Sequence, residues 1–347
     1  MIVALIHNYY QQAGGEDNSF AREAALLESH GHTVVRYSCH NDDLHGQSGV
    51  RMAVNSIWNR TRYRELRSLF RERRVEVAHF HNTFPILSPA SYYAAQAEGV
   101  AVVQTLHNYR LMCLNAFFFR EGRVCEDCLG RTIPWPGVMR SCYRGNRGAS
   151  AVAATTLTVH RLLATYQNKI DVYIALNEFG RRKYIEAGLP ADRIMLKPSF
   201  LDPDPGPGSG HGGYALFVGR LEPSKGINVL LDAMRRLGEA GPRLKIVGKG
   251  PMEAEVEAAV RDLPRVEWTK RVDDILGLMG EALVTVVPSI WYEGAPGVIN
   301  ESFAKGTPAL TSRIGGLTAM NEEGRTGRFF EPGDAADLAE KLRWFAE

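Results

Sequence analysis

Residues 199–213, SFLDPDPGPGSGHGG, divide this chain. Three prolines and five glycines in fifteen residues remove amide donors and loosen the backbone, so neither a helix nor a sheet ladder continues through them. On each side the pattern restarts in the same way, with a short apolar run of the kind a parallel sheet buries on both faces. Met1–Ile6 (MIVALI) opens the first half and Tyr214–Val218 the second. A chain of 347 residues is long enough for two cores. The expected architecture is therefore α/β, with two domains at 1–200 and 201–347.

The first half alternates strand and helix signals. After Met1–Ile6 come Gly14 and Gly15, then a helical stretch from about Asp17 to His30, closed by Gly31, and a strand from His32 to Tyr37. The turn reads AGGED and not G-x-G-x-x-G, which disfavours a nicotinamide oxidoreductase. Gly14-Gly15 fits either a tight turn or a phosphate reaching the helix start. Val75–His81 and Val100–Leu106 are further strands, and the second runs into His107 at its carboxyl end. Open α/β sheets bind ligands at that edge, and an imidazole there can exchange a proton near neutral pH. The plainer alternative is a histidine that holds the loop.

Val50–Arg74 is a long helical candidate with eight arginines, Arg51, Arg60, Arg62, Arg64, Arg67, Arg71, Arg73 and Arg74, and an apolar side of Trp58, Leu66, Leu69 and Phe70. It reads either as a solvated face or as an interfacial helix attracting anionic lipid head groups. Residues 110–148 form a loop insertion holding Cys113, Cys125, Cys128 and Cys142, spaced C-x11-C-x2-C-x13-C. Four thiolates suit a tetrahedral structural zinc site, and reduced thiols without metal are the alternative.

In the second half, GRLEPSKG places Arg220 and Lys225 around a turn after a strand, where a helix is expected from Lys225-Gly226 to about Ala240. Cations at a helix start oppose its dipole, so an anion is expected beside them. Gly248-Lys249-Gly250-Pro251 lacks the G-K-[ST] of a phosphate-binding loop for ATP hydrolysis. Val284–Pro308 then reads as strand, turn and helix, with Glu293 in the turn and Glu301 about one turn into the helix. Small or rigid residues, Gly294, Ala295, Pro296 and Gly297, let a ligand approach the backbone between them. Two solvated carboxylates are the plain alternative. A phosphate at the helix start together with carboxylates that accept hydroxyl hydrogen bonds would suit a sugar nucleotide.

A net charge of +2 argues against wholesale nucleic-acid binding. No apolar run approaches the roughly 20 residues that span a bilayer, and Met1–Ile6 is too short for a signal-peptide core. The expectation is a cytoplasmic protein whose five cysteines are thiols or metal ligands.

Gly219-Arg220 and Lys225-Gly226 (G-R-x4-K-G), followed by Glu293 and Glu301 (E-x7-E), resemble retaining glycosyltransferases of the family 4 type with the GT-B fold. The Gly14-Gly15 turn, His107 and the late GGL and GRTGRFFEPGD stretches are similar to that family too. The resemblance implies two Rossmann-like domains facing a cleft, the first on the acceptor side and the second holding a UDP- or GDP-sugar. Arg220 and Lys225 would neutralise the departing diphosphate. Glu293 would hold hydroxyls of the transferred sugar and Glu301 those of the ribose. Backbone N–H groups near Gly297 and Val298 would meet the phosphates. Gly15 would approach the diphosphate from the first domain, and His107 would sit near the transferred sugar. No catalytic metal is implied. The acceptor would be a glycan of bacterial polysaccharide synthesis; the arginine-rich segment 51–74 adds the expectation of a lipid-linked acceptor and of a protein peripheral at the inner face of the membrane. Two departures stand out: Asn108 follows His107 where many members have aspartate, and many members extend beyond the point where Glu347 stands. The competing functions are a sugar-nucleotide epimerase and a non-catalytic sugar- or zinc-binding module.

Overall fold

The computed structural model describes residues 1–11, 14–44, 46 and 48–347. The chain forms two compact units, one of residues 1–118 and 126–198, the other of residues 119–125 and 199–347. In chain order the elements up to the linker are β1 (Ile2–Tyr9), α1 (Gly15–Ser29), β2 (Thr33–His40), α2 (Gly49–Ile57), α3 (Arg60–Arg73), β3 (Val77–Phe80), α4 (Ala90–Ala97), β4 (Ala101–Leu106), β5 (Phe119–Arg120), β6 (Arg123–Val124), α5 (Trp135–Met139), α6 (Arg147–Leu162), α7 (Thr165–Asn168), β7 (Val172–Ala175), α8 (Glu178–Glu186) and β8 (Ile194–Leu196). After it come β9 (Tyr214–Val218), α9 (Ile227–Leu237), β10 (Arg243–Val247), α10 (Glu253–Asp262), β11 (Val266–Thr269), α11 (Ile275–Glu281), β12 (Val284–Val287), α12 (Gly297–Ala304), β13 (Ala309–Ser312), α13 (Leu317–Met320), β14 (Gly327–Phe330) and α14 (Ala335–Ala346).

Each unit is built on a six-stranded sheet whose strand pairs are parallel, in the orders β2-β1-β3-β4-β7-β8 and β11-β10-β9-β12-β13-β14. Parallel strands need crossovers, and the helices that supply them cover the sheet faces. That is why β1 and β12 are buried almost throughout. In the second unit Leu230, Leu231, Met234, Leu244, Ile246, Val284, Val286, Leu310, Leu338 and Leu342 make one apolar core under α9 and α14. Each such side chain contributes about 1.5–3 kcal/mol by leaving water.

The arginine-rich segment departs from expectation. It is two helices, α2 and α3, and not one. Asn59 breaks it: its side chain caps the Arg62 N–H and donates to the Ile86 carbonyl, while its backbone N–H donates to Ser88 Oγ. A buried asparagine must satisfy these groups, and the cap achieves it by ending one helix and starting the next. The second expected helix start also shifts. Lys225 lies in a short 3-10 turn, Gly226 is left-handed, and α9 begins only at Ile227.

Candidate active site

The second sheet reverses its strand order between β9 and β12, and the crevice outside the carboxyl ends of such a pair is where open α/β sheets take ligands. Both singled-out motifs leave those two strand ends. β9 runs into Gly219 and Arg220, and β12 into the loop that carries Glu293. The loops are joined directly, since the Ile290 N–H donates to the Ser224 carbonyl at 2.9 Å. Gly226 makes the approach feasible. Its φ is +69°, and any Cβ there would collide with the Pro288 carbonyl.

Lys225 Nζ lies 2.7 Å from Glu293 Oε1. Ser289 Oγ–H at 2.6 Å and the Trp291 indole N–H at 3.0 Å donate to the same oxygen. Glu293 is only 4% exposed, so this ring of donors is what lets a carboxylate sit there. The Lys225 ammonium also lies 5.3 Å from the Trp291 ring centroid. Arg220 is exposed and pairs with Glu222 across 3.4 Å. Helix α12 opens at Gly297 without a side-chain cap, so its first N–H groups, Gly297 and Val298 among them, point at whatever lies before the helix. Glu301 folds its carboxylate back toward that end, within 3.8 Å of where a Gly297 Cβ would lie. The late GGL stretch belongs here too: Gly315, at φ +55°, packs against Tyr292 of the same loop.

In the first unit His107 follows the end of β4, and β1 and β3 with its following residue bring His7, His79 and His81 to the same sheet face. His81 Nδ1 and His107 Nε2 share a hydrogen bond at 2.9 Å. His79 Nε2 bonds Thr105 Oγ1 at 2.7 Å, and the His7 Nε2–H donates to Asp17 Oδ1 at 2.7 Å. Burial, with neighbouring imidazoles and Lys197 adding to it, lowers the pKa of His107 to about 3. Burial likewise lowers His79 to about 4 and His81 well below the usual value. The cluster is therefore neutral at pH 7. Glu23, His79 and His81 have ligand atoms within 4.8 Å of one another, and Lys197 Nζ pairs with Glu23 at 2.7 Å.

Gly14 caps α1, and its N–H donates to Asp17 at 2.8 Å. A Cβ on Gly14 or Gly15 would meet nothing within 4 Å, so packing does not demand glycine at either position. Glu16 beside them is pushed up to about 8, by burial first and the Asp17 charge second. The Asn108 amide donates to Glu16 Oε2 at 3.2 Å, and its carbonyl accepts from Tyr184 OH at 2.8 Å. At neutral pH Glu16 is mostly a proton donor.

The structure gives two of the four loop cysteines hydrogen-bond partners. The Cys113 thiol donates to Asn115 Oδ1 at 2.9 Å and the Cys128 thiol to the Pro134 carbonyl. Among the described residues no three of Cys113, Cys125, Cys128 and Cys142 converge as metal ligands do. Burial raises the Cys113 pKa. Sequence reading missed Ser289 and Trp291, which hold Glu293, and the partners of His107. The His-x-His spacing of His79 and His81 was the available signal, because residues two apart on a strand share a face.

Two parallel-sheet units of this kind are the make-up of the GT-B fold. Residues 14–199 match the family described as glycosyl transferase 4-like domain, and residues 212–347 match glycosyl transferases group 1. The chain belongs to the glycosyl transferase 4-like family. It is 31% identical over 212 residues to a phosphatidyl-myo-inositol mannosyltransferase of Mycobacterium leprae, covering 56% of this chain and 54% of that protein. It is 35% identical over 140 residues to a D-rhamnosyltransferase of Pseudomonas aeruginosa, covering 39% of this chain and 36% of that one. The match thus spans about half the relative's length or less. Among solved structures, sucrose-phosphate synthase of Thermosynechococcus elongatus superposes with TM-score 0.69 at 18% identity, covering 99% of this chain and 91% of that one. Anabaena HepE in complex with UDP gives 0.65 at 16%, covering 99% and 92%. These likenesses show the fold.

Proposed function

We propose that the protein is a retaining glycosyltransferase that moves a sugar from a UDP- or GDP-sugar to a glycan or lipid-linked glycan acceptor, in bacterial polysaccharide or glycolipid synthesis. The observation that carries this reading is the switch point of the second sheet, where Lys225 of the loop after β9 meets Glu293 of the loop after β12. Arg220, Lys225 and the α12 N-terminus supply fixed positive potential for a diphosphate leaving group, the kind of preorganised charge that lowers a transition state. Glu293 receives sugar hydroxyls, and Glu301, one turn along α12, receives those of the ribose. In the first unit, Gly14 and Gly15 at the start of α1 leave the backbone open to close approach by the diphosphate. His107, neutral and held by His81, accepts or donates a hydrogen bond to the transferred sugar.

The bond from the anomeric carbon to the diphosphate oxygen breaks and a bond to the acceptor oxygen forms on the same face. The acceptor proton passes to the departing diphosphate. The test is product analysis after incubation with UDP- and GDP-sugars and oligosaccharide acceptors. Acceptor-dependent release of nucleoside diphosphate, with a product of unchanged anomeric configuration by NMR, is expected. A changed sugar released without acceptor would make the protein an epimerase. An inactive protein whose ligand binding survives Glu293→Ala but not Cys125→Ser would make it a binding module.

A further inference from the structure

We infer that the first unit carries a membrane-docking face, built not from the arginine-rich segment alone but from α5, the end of α6 and α2. Between Asp127 and Asp171 the chain holds five arginines, one lysine and no carboxylate. Five large apolar side chains in this stretch are more than half exposed: Ile133, Trp135, Met139, Leu162 and Leu163. Trp135 and Met139 are four apart on α5, so they share one face of it. Leu162 and Leu163 belong to the same surface. Their neighbour Arg161 donates to the Arg131 and Thr132 carbonyls, at the turn that presents Ile133.

Cations frame these apolar tips. The Arg131 guanidinium lies 5.7 Å from the Trp135 ring centroid, and Arg147 Nη2 lies 3.1 Å from Met139 Sδ. Arg144 is exposed beside them. Helix α2 joins the face, since His160 of α6 bonds the Ile57 carbonyl at its end. It exposes Val50 and Val54, again four apart, with Arg51 between them. Between Asp43 and Glu65 there is likewise no carboxylate, against four arginines, of which Arg62 pairs with Glu65. The later arginines of α3 are engaged elsewhere: Arg67 and Arg71 both pair with Glu98.

Exposed Trp, Leu and Met set among arginines, with Asp127 already paired to Arg140, are complementary to an anionic bilayer. Its phosphates take the guanidinium groups and its acyl boundary takes the apolar tips. No helix of the described residues is long and apolar enough to cross a membrane, so the face would lie on the bilayer. The inference does not depend on the donor site.

The test is co-sedimentation of the whole protein with phosphatidylcholine vesicles, with and without phosphatidylglycerol, in the absence of any nucleotide sugar. Binding is expected only to the anionic vesicles, and weakening with salt. Trp135→Ser with Leu162→Ser and Leu163→Ser should reduce it roughly tenfold or more, and Arg131→Glu with Arg147→Glu similarly. All these positions are exposed, so the thermal unfolding of the variants should match the parent. No binding to anionic vesicles, or binding indifferent to both variants, overturns the inference. So does a sedimentation-velocity dimer that the apolar variant dissociates while vesicles bind nothing, because the face would then meet a second copy.

Discussion

Lys225 and Glu293, 68 positions apart, meet at 2.7 Å at the switch point of the second sheet. Glu293 is nearly fully buried and shares its Oε1 among Lys225, Ser289 and Trp291. Removing one partner of such a pair leaves a charge without its counterion. Lys225→Ala should therefore destabilise the protein by about 3 kcal/mol, and Lys225→Ala with Glu293→Gln by clearly less. Urea unfolding of the two variants checks this. Equal losses would mean that the pair adds nothing.

Arg220 and Glu301 should separate in kinetics. Arg220 faces charge that grows as the diphosphate departs, so Arg220→Ala should lower kcat about 100-fold. Glu301 would grip the ribose equally before and during the reaction, so Glu301→Ala should raise KM for the donor roughly tenfold with kcat little changed. Steady-state kinetics with varied donor measure both.

The histidine cluster predicts an acid limb of instability. His79 and His107 titrate at about 4 and about 3 in the folded chain, below the value near 6.5 of an unfolded histidine. The unfolded state thus binds more protons below about pH 6.5, and stability is lost as pH falls from there toward 4. His79→Gln removes one such site. The drop in urea midpoint between about pH 7.5 and pH 5 should shrink in this variant.

Glu16 acts in the opposite sense. Its folded pKa of about 8 lies above that of an unfolded glutamate near 4.3, so its contribution is fully present below the unfolded value and is lost as pH rises through 8. Glu16→Gln should keep the hydrogen bonding of a neutral side chain and should flatten the decline between about pH 5 and pH 8. Urea midpoints across that range decide it, and an unchanged slope would mean that Glu16 is already ionised at neutral pH.

Much of this was legible in the sequence, because it is local. The proline- and glycine-rich linker, the alternation of strand and helix, and the turns around Arg220 and Glu293 all show in short windows. The rest depends on contacts distant in sequence. Asn59 splits the arginine-rich helix because residues 86–88 accept its bonds. His7, His81 and His107 come from three strands whose adjacency is a matter of sheet order. The C-x2-C spacing likewise did not show that Cys128 would lie against the Pro134 carbonyl. Spacing alone does not say where a loop sends its thiols.

The most direct test of the donor site is thermal unfolding of the parent protein and of Arg220→Ala against UDP, GDP, ADP and NAD. A ligand at about 100 times its Kd adds roughly 2.7 kcal/mol of stability, a readily measured shift. The account predicts a rise with one nucleoside diphosphate, lost or much reduced in the variant, and none with NAD. A parent protein that melts at the same temperature with every diphosphate would contradict it.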